Sequence, residues 1–236
     1  METSDDIYKL DDTISKHVAP PDPISRYLNV YGWRIRDSNF SPDFVTSMKV
    51  FEDLYASSTQ KQSLDGIIAM DTDVLVKMMD VIGPINAYNT NFTTQKVPQC
   101  DCPMVIYELE QYADQPTYYL RGSRKDIIVV LLQTLMQKAM AAPKNIYAGL
   151  FQAAIDEAKQ KHILFYLHNA DAQKGVEALG FAGVIKTYDG DYLHVNDANL
   201  GGAKSNLFIV PDVKQDTTVA DNGASTTLTL QYKYPR

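Results

Sequence analysis

The sequence YGWRIRDSNFSPDF, residues 31–44, places an adjacent Arg36 and Asp37 between an apolar run and the start of a helix. The β-prone residues before the pair predict a strand over residues 27–36, and Ser41 is predicted to be the N-cap of the helix that follows. A charged pair between a strand end and a helix N-terminus is typical of sites for anions or metal–anion complexes in α/β proteins. The same pair also fits a surface ion pair that only orients the turn, so both interpretations stay open.

Outward from this stretch, apolar runs of strand length alternate with segments of helical periodicity. A strand is predicted over 64–70, and Thr72, with help from Asp71, is predicted to cap the next helix, which ends at Gly83–Pro84. Asn169 is predicted to cap a helix after a strand over 163–167. The other predicted elements are helices over 41–57, 104–112, 123–141 and 144–161, a loop over 86–103, and C-terminal strands over 192–195, 207–210, 213–219 and 226–234, the last two joined by a turn at Asp221-Asn222-Gly223.

This succession predicts an α/β protein, as a layered α/β/α domain with a mixed sheet and a β-rich C-terminal end. Residues 1–25 are polar and rich in Asp, Ser and Pro, and are predicted to form an extended polar segment. Residues 26–236 are predicted to form a single α/β domain.

The composition argues against several classes of protein. The 236 residues carry a formal net charge of −7, which disfavours non-specific binding to nucleic acid or to anionic membrane surfaces. The sequence has no run of 18 apolar residues and no signal-peptide core, so we expect no membrane tether within this chain. Cys100 and Cys102 lie two positions apart, which is tight for a disulfide, so two loop thiols are predicted.

Two further segments are candidate anion sites. Arg121, Arg124, Lys125 and Asp126 lie at the N-terminus of the predicted helix 123–141, where cations oppose the helix dipole and a bound anion would relieve that cost. A solvated loop explains the same charges equally well. In the second segment, Gly201 and Gly202 lie between Asn199 and Lys204 and fit either a backbone nest for an anion or a tight turn, which is the favoured interpretation.

The order of four motifs resembles an uncharacterised bacterial family, domain of unknown function number four thousand and twelve. The motifs are RDSNFSPDF (36–44), LDGIIAMD (64–71), a helix ending in Gly83–Pro84, and VNDANLGGAKSN (195–206), and the resemblance spans about residues 8–234. Members are typically extracytoplasmic and tethered by an N-terminal membrane helix. The resemblance therefore implies a place in the bacterial cell envelope.

A more distant resemblance connects the chain with the LytR-CpsA-Psr family. The segments IRDS (35–38), DGIIAMD (65–71) and YYLRGSRKD (118–126) are similar to motifs of those enzymes, which transfer glycopolymers from a polyprenyl-pyrophosphate carrier to cell-wall peptidoglycan. The resemblance implies that Arg36, Arg121 and Arg124 bind pyrophosphate. It also implies catalytic roles for Asp37 and Asp126, with Mg²⁺ held at Asp37. Asn199 and Lys204 are added as candidate ligand-binding residues from the glycine segment.

Two functions follow as expectations. The first is an extracytoplasmic cell-envelope protein with a pyrophosphate or glycopolymer transfer site of the phosphotransferase kind, complete or degenerate. The second is a non-catalytic envelope module that binds polysaccharide or a partner protein. Both resembled families place another strand before the position where this chain begins. Because an open strand edge leaves backbone groups unpaired, we also expect a two-fold homodimer.

Overall fold

The computed structural model describes residues 7–87, 90–114, 126–200 and 205–234. The helices are α1 Ile7–Asp11, α2 Asp22–Leu28, α3 Phe44–Tyr55, α4 Thr72–Ile82, α5 Met104–Asp114, α6 Asp126–Ala141, α7 Tyr147–Lys159 and α8 Ala170–Ala178, with 3₁₀ turns at Ile35–Asp37, Lys144–Ile146 and Ser205–Phe208. The strands are β1 Gly66–Met70, β2 Ile85–Ala87, β3 Thr90–Phe92, β4 Lys96–Val97, β5 Cys102–Pro103, β6 Ile163–Leu167, β7 Val210–Ala220 and β8 Gly223–Lys233. The predicted α/β class is confirmed.

The described strands pair in four two-stranded antiparallel sheets, where a mixed sheet was predicted. Three of these sheets join strands that are close in sequence: β2 with β3, β4 with β5, and β7 with β8. The fourth joins distant parts of the chain, because β1 pairs with β6 in a register that places Gly66 opposite Leu167. The β1–β6 pair therefore brings the start of α4 close to the end of α7.

Two apolar clusters meet on helix α4. In the first, Val76 and Met79 of α4 pack with the β2–β3 hairpin and with Ile127 and Leu131 of α6, and Phe92 is fully buried there. In the second, Val74 packs with residues of α7, β6 and the segment after α8. The N-cap Asp71 accepts a hydrogen bond from the Asp73 N–H, and Gly83 ends the helix at a φ of 90°. The predicted end of this helix is confirmed, whereas its cap is Asp71 and not Thr72.

The region before α3 differs from its prediction. Residues 27–36 do not form a strand, because α2 continues to Leu28 and the chain then turns into the 3₁₀ segment Ile35–Asp37. The cause is a tertiary contact, since the Ile35 N–H donates to the buried carboxylate of Asp11 at 2.8 Å and is therefore unavailable to a sheet. Likewise, α1 and α2 are helices where an extended segment was predicted for residues 1–25.

Other local predictions have mixed outcomes. Asp43, not Ser41, caps α3, and Asn169 caps α8 as predicted. The turn between β7 and β8 is also confirmed. By contrast, residues 86–103 contain short strands where a loop was predicted, and residues 192–195 are not a strand. Of the strand predicted over 207–210, the first two residues belong to a 3₁₀ turn and the last begins β7.

Cys100 and Cys102 form a disulfide, so the prediction of two loop thiols is wrong. Between them, Asp101 adopts a left-handed conformation with φ 54°, and its N–H donates to the carbonyl of Val97. This turn brings the two Cα atoms to 5.1 Å, inside the range that a disulfide spans. As for membrane insertion, none of the helices among the described residues has the length and apolar character needed to cross a bilayer.

Candidate functional site

Arg36 is tied to the body of the protein by two contacts from α1. Its Nη1 donates to Asp11 Oδ2 at 2.6 Å, and its guanidinium lies over the ring of Tyr8 with the Cζ atom 4.8 Å from the ring centre. Asp11 is only 2% exposed and also accepts the Ile35 N–H. The guanidinium therefore compensates a buried carboxylate, which is a structural task.

Asp37, the neighbouring residue, is placed differently. The Trp33 indole N–H donates to the Asp37 carbonyl at 3.0 Å and fixes the backbone of the turn. The Asp37 side chain keeps one oxygen, Oδ2, buried without a hydrogen bond from any described residue, and Arg36 Nε lies 3.7 Å from it. Burial raises the pKa of Asp37 above its usual value, the Arg36 charge opposes this, and the charge of Asp11 adds to it.

Asp37 faces a cavity of about 760 Å³ between the 3₁₀ turn and the loop that precedes β7. The polar and aromatic residues that line it are Asp37, Asn39, Tyr192, His194, Asn196 and Asp197. We call this space the Asp37 cavity. Its volume lies within the range of about 300–1,000 Å³ that is typical of small-molecule sites.

The loop side of the Asp37 cavity is held by side-chain contacts. The Tyr232 hydroxyl of β8 donates to Asp197 Oδ1 at 2.6 Å, and this hydrogen bond raises the pKa of Tyr232. The rings of Tyr192 and His194 lie 12° from parallel with their centres 6.2 Å apart, and Tyr192 Oη is 3.3 Å from His194 Nδ1. The hairpin thus positions one carboxylate, and a pair of rings forms part of the wall.

The predicted site residues are only partly brought together. Asn199 donates to Asn206 Oδ1 at 2.8 Å and lines a second cavity of about 350 Å³, which shares Asp197 with the Asp37 cavity. The first and third predicted segments therefore meet, although about 160 positions separate Asp37 from Asp197. Asp126 is the first residue of α6. The predicted ligand residues Arg121, Arg124 and Lys204 lie outside the described residues.

A second polar cluster was not predicted as a site from the sequence. It consists of Asp71, Asp73, Glu157 and His162, which we call the His162 cluster, and it joins the start of α4 to the end of α7 and the start of β6. Burial raises the pKa of Glu157, with a further increase from the charge of Asp73. The hydrogen bond to Asp71 raises the pKa of His162. In the sequence, only the cap-forming position of Asp71 gave a signal.

Comparison with known proteins identifies one family. The model of a family described as a protein of unknown function (DUF4012) matches residues 2–100, which include Arg36, Asp37 and the α3–β1–α4 segment. No curated protein and no solved structure matches the chain. The predicted resemblance to DUF4012 is thereby confirmed over residues 2–100.

Proposed function

We propose that this protein is an extracytoplasmic module of the bacterial cell envelope that binds polysaccharide in the Asp37 cavity. The observation that carries the proposal is the lining of that cavity, where two carboxylates, two carboxamides and a pair of aromatic rings face one space of about 760 Å³. These groups suit a ligand with many hydroxyls, because carboxylates accept hydrogen bonds and carboxamides both donate and accept them.

The aromatic pair suits a sugar ligand because a sugar ring has both apolar and polar parts. The C–H groups of a sugar ring are apolar and pack on an aromatic face, while the sugar hydroxyls point sideways to polar partners. Tyr192 and His194 provide nearly parallel rings, and Asp37 provides a buried oxygen, Oδ2, that no described group satisfies. A ligand hydroxyl in the cavity would donate a hydrogen bond to the Asp37 carboxylate, which lines it.

The proposed location is supported by the disulfide between Cys100 and Cys102. Disulfides persist in oxidising surroundings such as the exterior of the bacterial cell, and are rare in the reducing cytosol. Alkylation of the protein in intact cells, with and without a prior reductant, tests this point. We expect both cysteines to react only after reduction, and labelling without a reductant would contradict the proposed location.

Binding of purified envelope polysaccharide fragments, measured by titration calorimetry, tests the proposed ligand. We expect Asp37→Asn to weaken binding at least about tenfold, which corresponds to the loss of one charged hydrogen bond of about 1.5–3 kcal/mol. Asp80→Asn serves as the control, because Asp80 is an exposed carboxylate of α4 outside the cavity lining. Equal binding by wild type and Asp37→Asn would refute the proposed site.

A glycopolymer transfer activity like that of the LytR-CpsA-Psr family is the second candidate, and the exposed face of α6 favours it. Ile128, Leu132, Met136 and Met140 recur every fourth residue on α6, and all four are exposed, Met140 by 77%. This spacing puts them on one side of the helix, which follows directly after the cationic segment 121–125. An apolar stripe on a helix that follows cations in the sequence suits a polyprenyl chain and its pyrophosphate.

In this second candidate, different residues would bind the pyrophosphate and the metal ion. Arg121 and Arg124 would bind the pyrophosphate, and Asp37 would contribute one carboxylate to Mg²⁺. The Asp37 carboxylate lines the cavity and suits that ion, which commonly takes one or two protein carboxylates together with water and phosphate. When bound, Mg²⁺ supplies positive charge that offsets the charge of the pyrophosphate.

Mass spectrometry of the purified protein for co-purified polyprenyl phosphate tests the second candidate. We expect the lipid in wild type and its loss in the double variant Arg121→Ala, Arg124→Ala. A Met136→Lys variant should lose it as well, because a charge would then interrupt the apolar stripe on α6. Absence of the lipid from the wild type, together with polysaccharide binding in the Asp37 cavity, would leave the binding module as the function.

A further inference from the structure

The His162 cluster is built where three elements converge. Asp71 and Asp73 lie at the start of α4, Glu157 belongs to the last turns of α7, and His162 immediately precedes β6. Main-chain hydrogen bonds fix these elements, since Asp71 N–H donates to the His162 carbonyl at 3.2 Å and His162 N–H donates to the Glu157 carbonyl at 2.9 Å. These main-chain hydrogen bonds fix the positions from which the four side chains of the cluster extend.

Glu157 is the unusual member of the cluster. Its side chain is among the most buried in the described part of the protein, since the residue is 1% exposed. Its Oε2 atom accepts no hydrogen bond from the described residues. A buried carboxylate oxygen without a hydrogen bond is costly, and the neighbouring Asp73 carboxylate adds repulsion unless a proton or a cation lies between the two groups. The orientation of Glu157 toward Asp73 and His162 therefore requires an explanation.

His162 is oriented so that one ring nitrogen is available. Its Nδ1 lies 2.7 Å from Asp71 Oδ2. Because a carboxylate accepts hydrogen bonds, we assign the ring proton to Nδ1, which donates a hydrogen bond to Asp71. In the neutral ring Nε2 is then the nitrogen that binds a metal, and it lies 3.7 Å from Asp73 Oδ2. A carboxylate that holds the far nitrogen of a histidine is the usual arrangement around histidine metal ligands.

We propose that Asp73, Glu157 and His162 bind one divalent transition-metal ion of the Zn²⁺ type, with Asp71 as the outer partner that orients His162. One ligand atom from each of the three residues already lies within 4.8 Å of the other two. Bonds of about 2.0–2.2 Å at tetrahedral angles would hold these atoms about 3.4 Å apart, so small side-chain rotations complete the site. None of these four residues lines the Asp37 cavity.

The type of ion follows from the ligands. An imidazole nitrogen with two carboxylates suits Zn²⁺ and related ions, whereas Ca²⁺ and Mg²⁺ prefer oxygen ligands alone and in larger number. Three protein ligands leave the fourth position of a tetrahedral ion to water. Asp71 and His162 also line a cavity of about 360 Å³, which would give the ion and its water a route from solvent.

Charge supports the same assignment. Three carboxylates, those of Asp71, Asp73 and Glu157, converge on one imidazole, so the cluster holds more negative than positive charge. Either a proton or a dication resolves this. The two alternatives predict opposite results for metal binding, so a measurement with metal alone separates them.

The test uses the full chain after treatment with a chelator, titrated with ZnCl₂ by calorimetry and followed by thermal unfolding. We expect one Zn²⁺ per chain. At 100 times the Kd the ion should raise Tm by about 5–10 °C, given mass-action stabilisation and the usual scaling for a chain of this size. No binding to the wild type would overturn the proposal and would assign a proton to Glu157.

Variants locate the ion. Glu157→Gln keeps the shape of the side chain, so we expect a folded protein whose Zn²⁺ affinity falls at least about 100-fold, since a ligand loss exceeds the 10–100-fold effect of an outer partner. Asp71→Asn keeps the helix cap and should weaken binding about 10–100-fold. His168→Gln is the matched control, because His168 also pairs with a carboxylate, that of Glu52. Unchanged Zn²⁺ binding in Glu157→Gln, or loss of binding in His168→Gln alone, would refute the proposed ligands.

Discussion

Replacing Arg36 with alanine should destabilise the fold, because the buried carboxylate of Asp11 then loses its counter-charge. Removal of one partner of a buried pair costs about 3–5 kcal/mol. The Arg36 side chain is 29% exposed, so water replaces part of the lost interaction, while the lost contact with the Tyr8 ring adds about 0.5–1 kcal/mol. We expect a loss of about 3 kcal/mol, or a fall in Tm of about 6–12 °C.

Fluorescence of Trp33 during urea unfolding is a direct assay of this change. Trp33 is the single tryptophan of the chain, and its indole N–H donates to the Asp37 carbonyl beside Arg36. Arg26→Ala is the control, since Arg26 also lies near a tyrosine ring but is exposed and has no ion pair among the described contacts. A loss below about 0.5 kcal/mol, as is usual for surface changes, would refute the structural role of Arg36.

A double variant distinguishes the effect of the Arg36–Asp11 ion pair from the effect of each charge alone. Asp11→Asn with Arg36→Met removes both charges while keeping side-chain volume and an acceptor for the Ile35 N–H. We expect this variant to be at least about 1 kcal/mol more stable than Arg36→Met alone, because no buried charge is then left without a partner. Equal stability of the two variants would show that Asp11 does not depend on Arg36.

Three other predictions concern the rest of the fold. Partial burial raises the pKa of Asp43, but hydrogen bonds from the Thr46 and Ile185 N–H groups and the Lys49 charge outweigh burial, so the pKa is lowered. The wild type should therefore be more stable than Asp43→Asn above about pH 4. In urea unfolding across a pH series, this difference should vanish as pH falls through the folded-state pKa. Gly183→Ala should cost about 2–4 kcal/mol in the same assay, because φ is +59° and the new Cβ would lie 2.9 Å from Phe44 Cβ, whereas Gly175→Ala, in open space on α8, should cost nothing. The predicted homodimer should appear in light scattering as a mass that falls on dilution, since Ile68 and Met70 of the two-stranded β1–β6 sheet are exposed; a monomer at every concentration would contradict it.

Elements with short-range signals could be predicted from the sequence. Helix α4 has an N-cap acid, apolar residues at helical spacing and a glycine–proline stop, all within 14 positions, and the β7–β8 hairpin has its turn residues between two alternating runs. Each of these features acts within a few residues of the backbone that it shapes. The structure therefore agrees with the sequence at these places.

Elements that depend on distant contacts could not be predicted. The run before Arg36 has strand propensity, yet the Asp11 carboxylate, 24 positions away, takes the Ile35 N–H and turns the chain. The β1–β6 pairing is antiparallel over about a hundred positions, so the succession of strands and helices did not reveal its direction. The Cys100–Cys102 bond depends on the left-handed Asp101, a conformation that spacing alone does not indicate.

The same distinction applies to the two sites. Arg36 and Asp37 were predicted together because they are adjacent, and the structure separates their roles. Asp11, on a helix that the sequence did not predict, pairs with Arg36, whereas Asp37 keeps an unsatisfied oxygen beside the cavity. In the His162 cluster, Asp73 and Glu157 are 84 positions apart in the sequence, so only the fold brings them together.

Because Arg36 supports the fold and Asp37 lines the cavity, only a substitution of Asp37 tests ligand binding without also removing a structural ion pair. Loss of ligand binding in Arg36→Ala would be ambiguous, because the substitution leaves the buried Asp11 carboxylate without its counter-charge and so destabilises the fold. Asp37→Asn removes a carboxylate that burial already disfavours, so stability should be unchanged or slightly increased while binding falls. A variant that weakens binding and keeps or raises Tm identifies a residue maintained for its ligand and not for the fold. If Asp37→Asn instead loses binding and stability together, the carboxylate of Asp37 supports the turn, and the Asp37 cavity has no demonstrated ligand-binding residue.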